Sequence, residues 1–183
     1  MNRMEVVKMK IKKSSKAISI ALKVIYIAMI VGIFVPISTL VFAYTKPEVC
    51  LTSINKLAFY SSSGRILESS GEIIAEMSSI IVSVILIFFM IIEAYKLFNS
   101  IYKNLLPFSK ANVKKLKNIG VLLLVYSFVM PIAKTGFYSS FAPQVSTRFS
   151  IDFPFLVLAF IFFFIGKVFE YGAELQRQWD ETL

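Results

Sequence analysis

Residues 96–117, KLFNSIYKNLLPFSKANVKKLK, lie between two long apolar segments and hold six lysines and no acidic residue. A basic loop between hydrophobic runs of membrane length belongs on the cytoplasmic side of a bilayer, because lysine and arginine bias orients the neighbouring spans. Placing this stretch inside sets the expected sidedness of every other segment.

The composition agrees with a membrane protein. The 183-residue chain is 57% apolar and 15% aromatic, with a mean hydropathy of +0.73, whereas soluble domains sit near about 45–50% apolar. The net charge of +9 is concentrated beside the apolar runs. A lipid bilayer is therefore the expected partner of that charge, and direct nucleic-acid binding is not expected. There is no histidine, which excludes His-based triads and ordinary His-ligated zinc sites. Cys50 is the single cysteine, so no intramolecular disulfide can form, and its expected role is that of a small apolar residue.

Upstream, residues 1–23 carry seven basic residues against Glu5 alone. Val24 to Tyr44 then runs without charge for long enough to cross about 30 Å of hydrocarbon. Pro36 within it is expected to kink or partly unwind the outer half, and Ala28 with Gly32 forms a small-xxx-small face. The basic start, the apolar run and Val41-Phe42-Ala43 loosely satisfy a signal peptide as well; the length of the run favours an uncleaved first transmembrane helix. Residues 45–72 form an outer loop with a turn at Ser61–Gly64, flanked by short stretches whose pattern fits strand or interfacial helix.

The second span starts at Ile73, with Ala75, Ser79 and Ser83 making a small-residue stripe. Its two acids suggest ion pairs: Glu76 with Lys134, and Glu93 with Lys96 or Lys167. A proton-relay role is the alternative for intramembrane carboxylates. In the basic loop, Pro107 ends a helical pattern and Ser109 is the expected N-cap of a helix opening at Lys110. Lys110, Lys114 and Lys117 then share one helix face. Pro131 predicts a second kink, and Lys134 can snorkel at the outer end. The fourth span, rich in phenylalanine, continues into residues 167–183. There Glu170, Glu174, Gln178 and Glu181 form a polar stripe beside Trp179 and Asp180, with Trp179 as an amphipathic anchor.

The expected fold is thus all-α: an integral membrane bundle of four transmembrane helices, both termini cytoplasmic, with a C-terminal cytoplasmic helical extension. It forms a single membrane domain over residues 1–183. The helices are expected at about 15–44, 73–98, 110–134 and 153–181, with outer loops at 45–72 and 135–152 and an inner loop at 99–109. Residues 1–23, 96–117 and 167–183, assigned inside, hold fifteen basic residues, and the outer loops together with Lys134 at the outer end of the third helix hold five, the direction that the positive-inside rule requires.

Enzymatic chemistry is not expected. The seven glycines form no phosphate-cradling motif, no cluster has metal-ligand spacing, and no cofactor or metal is implied. A Ser–Lys dyad, for instance Ser139 or Ser140 with Lys134, is the only nucleophilic arrangement the composition allows. Transport would call for inverted repeats around a polar midplane site; no repeat is visible.

Two segments resemble a known family. Pro107-Phe108-Ser109, followed by Asn112 to Gly120 (NVKKLKNIG), and the tail EYGAELQ at 170–176 with DETL at 180–183 are similar to features of the bacterial DUF2975 membrane proteins. The resemblance implies a multi-pass protein of the bacterial cell membrane and no assigned activity. It also implies a small helix-turn-helix transcription regulator encoded nearby, which such a protein would hold at the membrane and release on a signal. Lys110, Lys114, Lys117, Glu170, Glu174, Trp179, Asp180 and Glu181 are then the candidate surface for that cytoplasmic partner, the acids meeting a DNA-reading surface. Alternatively the acids dock on the lysines of the chain itself. Glu76, Lys134, Glu93 and Lys167 are the candidate membrane ion pairs.

The leading expectation is a membrane-embedded regulatory or sensory protein. Immunity against a membrane-active peptide, through outer segments around Phe59–Leu67 and Phe137–Phe149, is the alternative from another class. A small transporter component working through Glu76, Glu93 and Lys134 is a third. A second copy of the chain is a further candidate partner, through the small-residue stripes.

Overall fold

A computed structural model describes residues 3–56 and 66–182, and within that range the chain is helical with no strand. The Ser61–Gly64 turn, most of the 59–67 segment and the side chain of Asp180 lie outside the described residues. Six helices follow in order: α1 Arg3–Gly32, α2 Phe34–Thr45, α3 Pro47–Lys56, α4 Ser70–Asn104, α5 Lys110–Phe141 and α6 Phe153–Thr182. Among the described residues, four stretches are long and apolar enough to cross a membrane: Glu5–Thr45, Ser70–Asn104, Lys110–Phe141 and Phe153–Trp179.

The helix ends have local causes. The α1–α2 break at Ile33 lies three residues before Pro36, whose ring nitrogen carries no hydrogen to donate to the Gly32 carbonyl. The ladder resumes with the Ile37 amide donating to Ile33 O at 3.3 Å. α4 starts before Ile73 because Ser69 caps it: the Glu72 amide donates to Ser69 Oγ at 3.2 Å, the N-cap geometry, and that hydroxyl donates to Glu72 Oε1 at 3.4 Å. It continues to Asn104 and stops where Leu105 turns left-handed, with φ 53°. α5 runs past Lys134 to Phe141, since after Pro131 the next proline is Pro143.

Pro131 lies inside α5 and leaves the Ser127 carbonyl without its helical donor. The Asp152 amide takes that carbonyl at 3.2 Å. The proline thus creates an acceptor for the segment that leads into α6, and the backbone accounting closes as a low-dielectric site demands.

The chain divides into two compact units. The first comprises residues 1–28, 87–125 and 153–183, the second residues 29–86 and 126–152. In the first, Leu97 and Ile101 of α4 and Leu116 of α5 form a buried core, with Ile11 of α1 and Phe162, Ile165 and Phe169 of α6 packed on it. Gly120 lets α5 approach α6: a Cβ there would come within 2.9 Å of the Phe163 ring, the close approach that small residues allow between membrane helices.

In the second unit, Ala43 of α2, Cys50 and Ile54 of α3, and Leu67, Ile73, Ile74 and Met77 pack together. The segment expected as a loop with strand or interfacial character thus holds helix α3. Burial pushes the Cys50 thiol above its ordinary pKa, because the thiolate loses hydration. The small-residue stripe of α4 is used within this unit: Ala75 and Ser79 are buried, and the Ser83 and Tyr126 hydroxyls share a hydrogen bond of 2.9 Å. A Cβ on Gly32, by contrast, would meet nothing within 4 Å.

Candidate functional site

The two segments singled out in the sequence meet in the first unit. The connection between α4 and α5 is short, and Asn112 organises it from below. Its side chain is fully buried. Nδ2 donates to the Leu106 carbonyl at 3.1 Å and the Pro107 carbonyl at 3.2 Å, while Oδ1 accepts from Lys115 Nζ at 3.2 Å. Ser109 starts α5, its Oγ accepting from the Asn112 amide at 3.3 Å, the N-cap geometry. Phe108 is thereby presented to α6. Its ring lies over Gly172, where a Cβ would stand 2.7 Å from Cδ1, and its centroid is 5.0 Å from that of Phe169.

One turn deeper, the Lys117 stem crosses Gly166, with Cγ 3.3 Å from where a Cβ would be. Its ammonium donates to Glu170 Oε2 at 3.1 Å and Oε1 at 3.2 Å. Lys167 reaches the same carboxylate at 3.1 Å. Glu174 pairs with Arg177 at 2.7 Å, and Arg177 also faces Glu181 at 3.7 Å. Exposed pairs of this kind contribute little to stability; they fix where charge is displayed. Between α5 and α6 lies a cavity of about 700 Å³ whose walls include Lys110, Lys114, Lys117, Tyr171 and Glu174.

The candidate surface is therefore only partly one surface. Lys110, Lys114, Lys117, Glu170 and Glu174 border one cavity, and Lys117 docks on Glu170. Glu174 and Glu181 instead share Arg177. Trp179 is 70% exposed and Tyr171 68%. With Leu175 they recur at i, i+4 and i+8, an apolar stripe along one face of α6.

Glu93 meets Lys96 at 2.8 Å on its own helix and accepts from Asn118 Nδ2 at 3.3 Å. Lys167 pairs with Glu170 rather than Glu93, because an i,i+3 neighbour is within easy reach. In the second unit Glu76 is 3% exposed. It accepts from the Tyr138 hydroxyl at 2.6 Å, with Lys134 Nζ at 4.0 Å. The Ser139 and Ser140 hydroxyls both donate to the Gly136 carbonyl at 2.9 Å, so neither is directed at Lys134. Among the described residues no cluster of metal-ligating side chains occurs.

Sequence reasoning missed Phe108, Gly172 and Asn112 as a unit, Arg177 as the neutraliser of the tail, and Tyr138 as the partner of Glu76. A glycine inside an amphipathic tail was the one available signal, since it costs helix propensity and so implies close approach. Tyr138 and Glu76 are far apart in sequence, and nothing local links them.

The family described as a protein of unknown function (DUF2975) matches residues 21–183, and the chain belongs to it. No curated protein and no solved structure matches the chain.

Proposed function

We propose that this member of the DUF2975 family is a multi-pass membrane protein with both termini in the cytoplasm, where its α6 tail binds and controls a cytoplasmic partner, a small helix-turn-helix regulator. Charge segregation supports the sidedness. The first unit holds fifteen basic residues against six acidic, the second five against five, so the whole net charge of +9 falls on the unit that contains both termini and the 105–109 connection. Basic flanks face the cytoplasm.

The observation that carries the partner is the exposed stripe of Tyr171, Leu175 and Trp179. Twenty residues of helix at about 1.5 Å per residue span about 30 Å, so a span starting at Phe153 is complete near Gly172. The stripe continues beyond that point into water, where an apolar helix face is a docking element for a groove in a partner. Because Arg177 offsets Glu174 and Glu181, attraction to a basic DNA-reading surface is secondary, and the aromatic face supplies the recognition.

Sidedness is tested with Glu181→Cys in a Cys50→Ser background. A membrane-impermeant maleimide is expected to label it only after cells are opened, and labelling of intact cells refutes the topology. For the partner, full-length protein and Leu175→Glu are purified in mild detergent from native membranes. A small helix-turn-helix protein, identified by mass spectrometry, is expected with the former alone. If neither brings one down, the regulator reading fails.

A further inference from the structure

We propose that the cavity between α5 and α6 is a binding site for the phosphodiester of an anionic lipid headgroup, held by Lys110, Lys114 and Lys117. The inference stands on the cavity and the membrane-spanning helices and needs no protein partner.

The cavity volume of about 700 Å³ lies in the range of small-ligand sites, about 300–1,000 Å³. Its lysines differ in commitment. Lys117 is held by Glu170, whereas Lys110 and Lys114 are exposed and have no carboxylate within 4.0 Å among the described residues. They lie at i and i+4, so both ammonium groups address one point, with Lys117 at i+7 completing the face. The acidic wall is already compensated, since Glu170 is bound by Lys117 and Lys167, and Glu174 by Arg177. What remains is uncommitted positive charge facing the cavity.

Depth and neighbouring surface point to a lipid as the source of the phosphate. The span of α6 is complete near Gly172, so Tyr171 and Glu174 stand at the edge of the hydrocarbon, in the headgroup layer of about 5–8 Å. The α5 face that carries Lys110, Lys114 and Lys117 continues one and two turns deeper as Val121 and Val125, 48% and 38% exposed. A basic cluster followed on the same helix face by exposed apolar side chains matches a headgroup followed by its acyl chains. The exposed Tyr171 hydroxyl and Glu174 supply polar groups for the hydroxyls of a glycerol headgroup.

The test is native mass spectrometry of the full chain released from micelles containing phosphatidylglycerol or phosphatidylcholine. The double variant Lys110→Gln/Lys114→Gln is compared with Lys12→Gln/Lys13→Gln, an exposed basic pair on α1. Removing the two cavity lysines is expected to weaken phosphatidylglycerol binding about 30-fold and the α1 variant to leave it nearly unchanged. Equal loss in both variants, or no loss in the first, overturns the site in favour of diffuse charge. Equal binding of phosphatidylcholine overturns the anion preference. Displacement of phosphatidylglycerol by inorganic phosphate at matching concentration assigns the lysines to a soluble phosphate and overturns the lipid source.

Discussion

Replacing Gly172 by alanine is expected to loosen the junction between the 105–109 connection and α6, against the ordinary preference of a helix for alanine. The added Cβ would stand 2.7, 2.9 and 3.1 Å from Cδ1, Cγ and Cε1 of Phe108, so the ring must move. Phe108 is 40% exposed. Displacing the buried remainder, roughly three-fifths of a side chain that covers about 200 Å², costs up to about 3 kcal/mol at about 25 cal/mol per Å². The contact with Phe169 is worth about 0.5–1.5 kcal/mol more. A ring that slides instead of leaving forfeits only part of this, and alanine returns about 1 kcal/mol of helix propensity. The net is a local destabilisation of about 1–3 kcal/mol.

Hydrogen exchange of the α6 amides, followed by mass spectrometry in micelles, reads that change directly. Exchange through local opening accelerates about tenfold for each 1.4 kcal/mol. Trp179, the only tryptophan in the chain, offers a second probe on the same helix through its fluorescence. The decisive comparison is the Phe108→Ala background, where the obstruction is gone and propensity alone remains. There Gly172→Ala is expected to slow exchange, reversing its sign. Slower exchange with Phe108 intact, or the same effect in both backgrounds, refutes the contact as the cause.

Three other expectations concern the second unit. Gly71→Ala places a Cβ onto the Phe141 carbonyl oxygen and 3.8 Å from Ala142 Cα; backbone cannot yield cheaply, so the thermal midpoint falls by an amount equivalent to about 3 kcal/mol or more. Gly136→Ala, with nothing within 4 Å, is neutral or stabilising by up to about 1 kcal/mol, and equal midpoints for the two variants contradict the packing. Tyr138→Phe removes the 2.6 Å hydrogen bond to Glu76 and costs about 1.5–3 kcal/mol, while Tyr126→Phe, which loses a neutral hydroxyl pair, costs about 0.5–1.5 kcal/mol; the reverse order in denaturant titration sinks this ranking. Cys50 is 1% exposed, and its raised pKa leaves less thiolate at any given pH. Maleimide labelling at pH 8 is therefore expected to be slow in the folded protein and fast after unfolding in SDS, and prompt labelling of the folded protein shows that the Cys50 face of α3 is not packed against Ala43, Ile73 and Met77.

What was legible in the sequence was whatever rests on composition and on short-range punctuation. Four apolar runs, Ser109 before Lys110, and Pro36 just after the α1–α2 break are local signals with local consequences. The helix ends that differ from expectation also have local causes that hydropathy does not weigh. Ser69 and Glu72 open α4 early although both are polar, and α5 outruns Lys134 because a lysine does not break a helix. The site residues divide along the same line. Neighbours on one helix, such as Glu93 with Lys96 and Lys167 with Glu170, are decided by spacing. The Tyr138–Glu76 bond and the seat of Phe108 on Gly172 join residues more than sixty positions apart, and only the packed chain brings them together.

The distribution of charge then separates two kinds of polar group. In the second unit, the five acidic and five basic residues leave no net charge, and the buried Glu76 is hydrogen-bonded to a tyrosine, as a low-dielectric setting requires. In the first unit the acids are spent on cations of their own neighbourhood: Glu93 on Lys96, Glu170 on Lys117 and Lys167, and Glu174 on Arg177. An acidic tail read from sequence as a surface for basic partners is thus largely neutralised in place. The groups outside those pairs are of the opposite character: the cations Lys110 and Lys114 beside a cavity, and the exposed aromatic stripe of Tyr171 and Trp179. These two sets make separable demands on a ligand. The lysines require an anion, which charge-removing variants and salt will reveal, and the stripe requires an apolar surface, which they will not disturb.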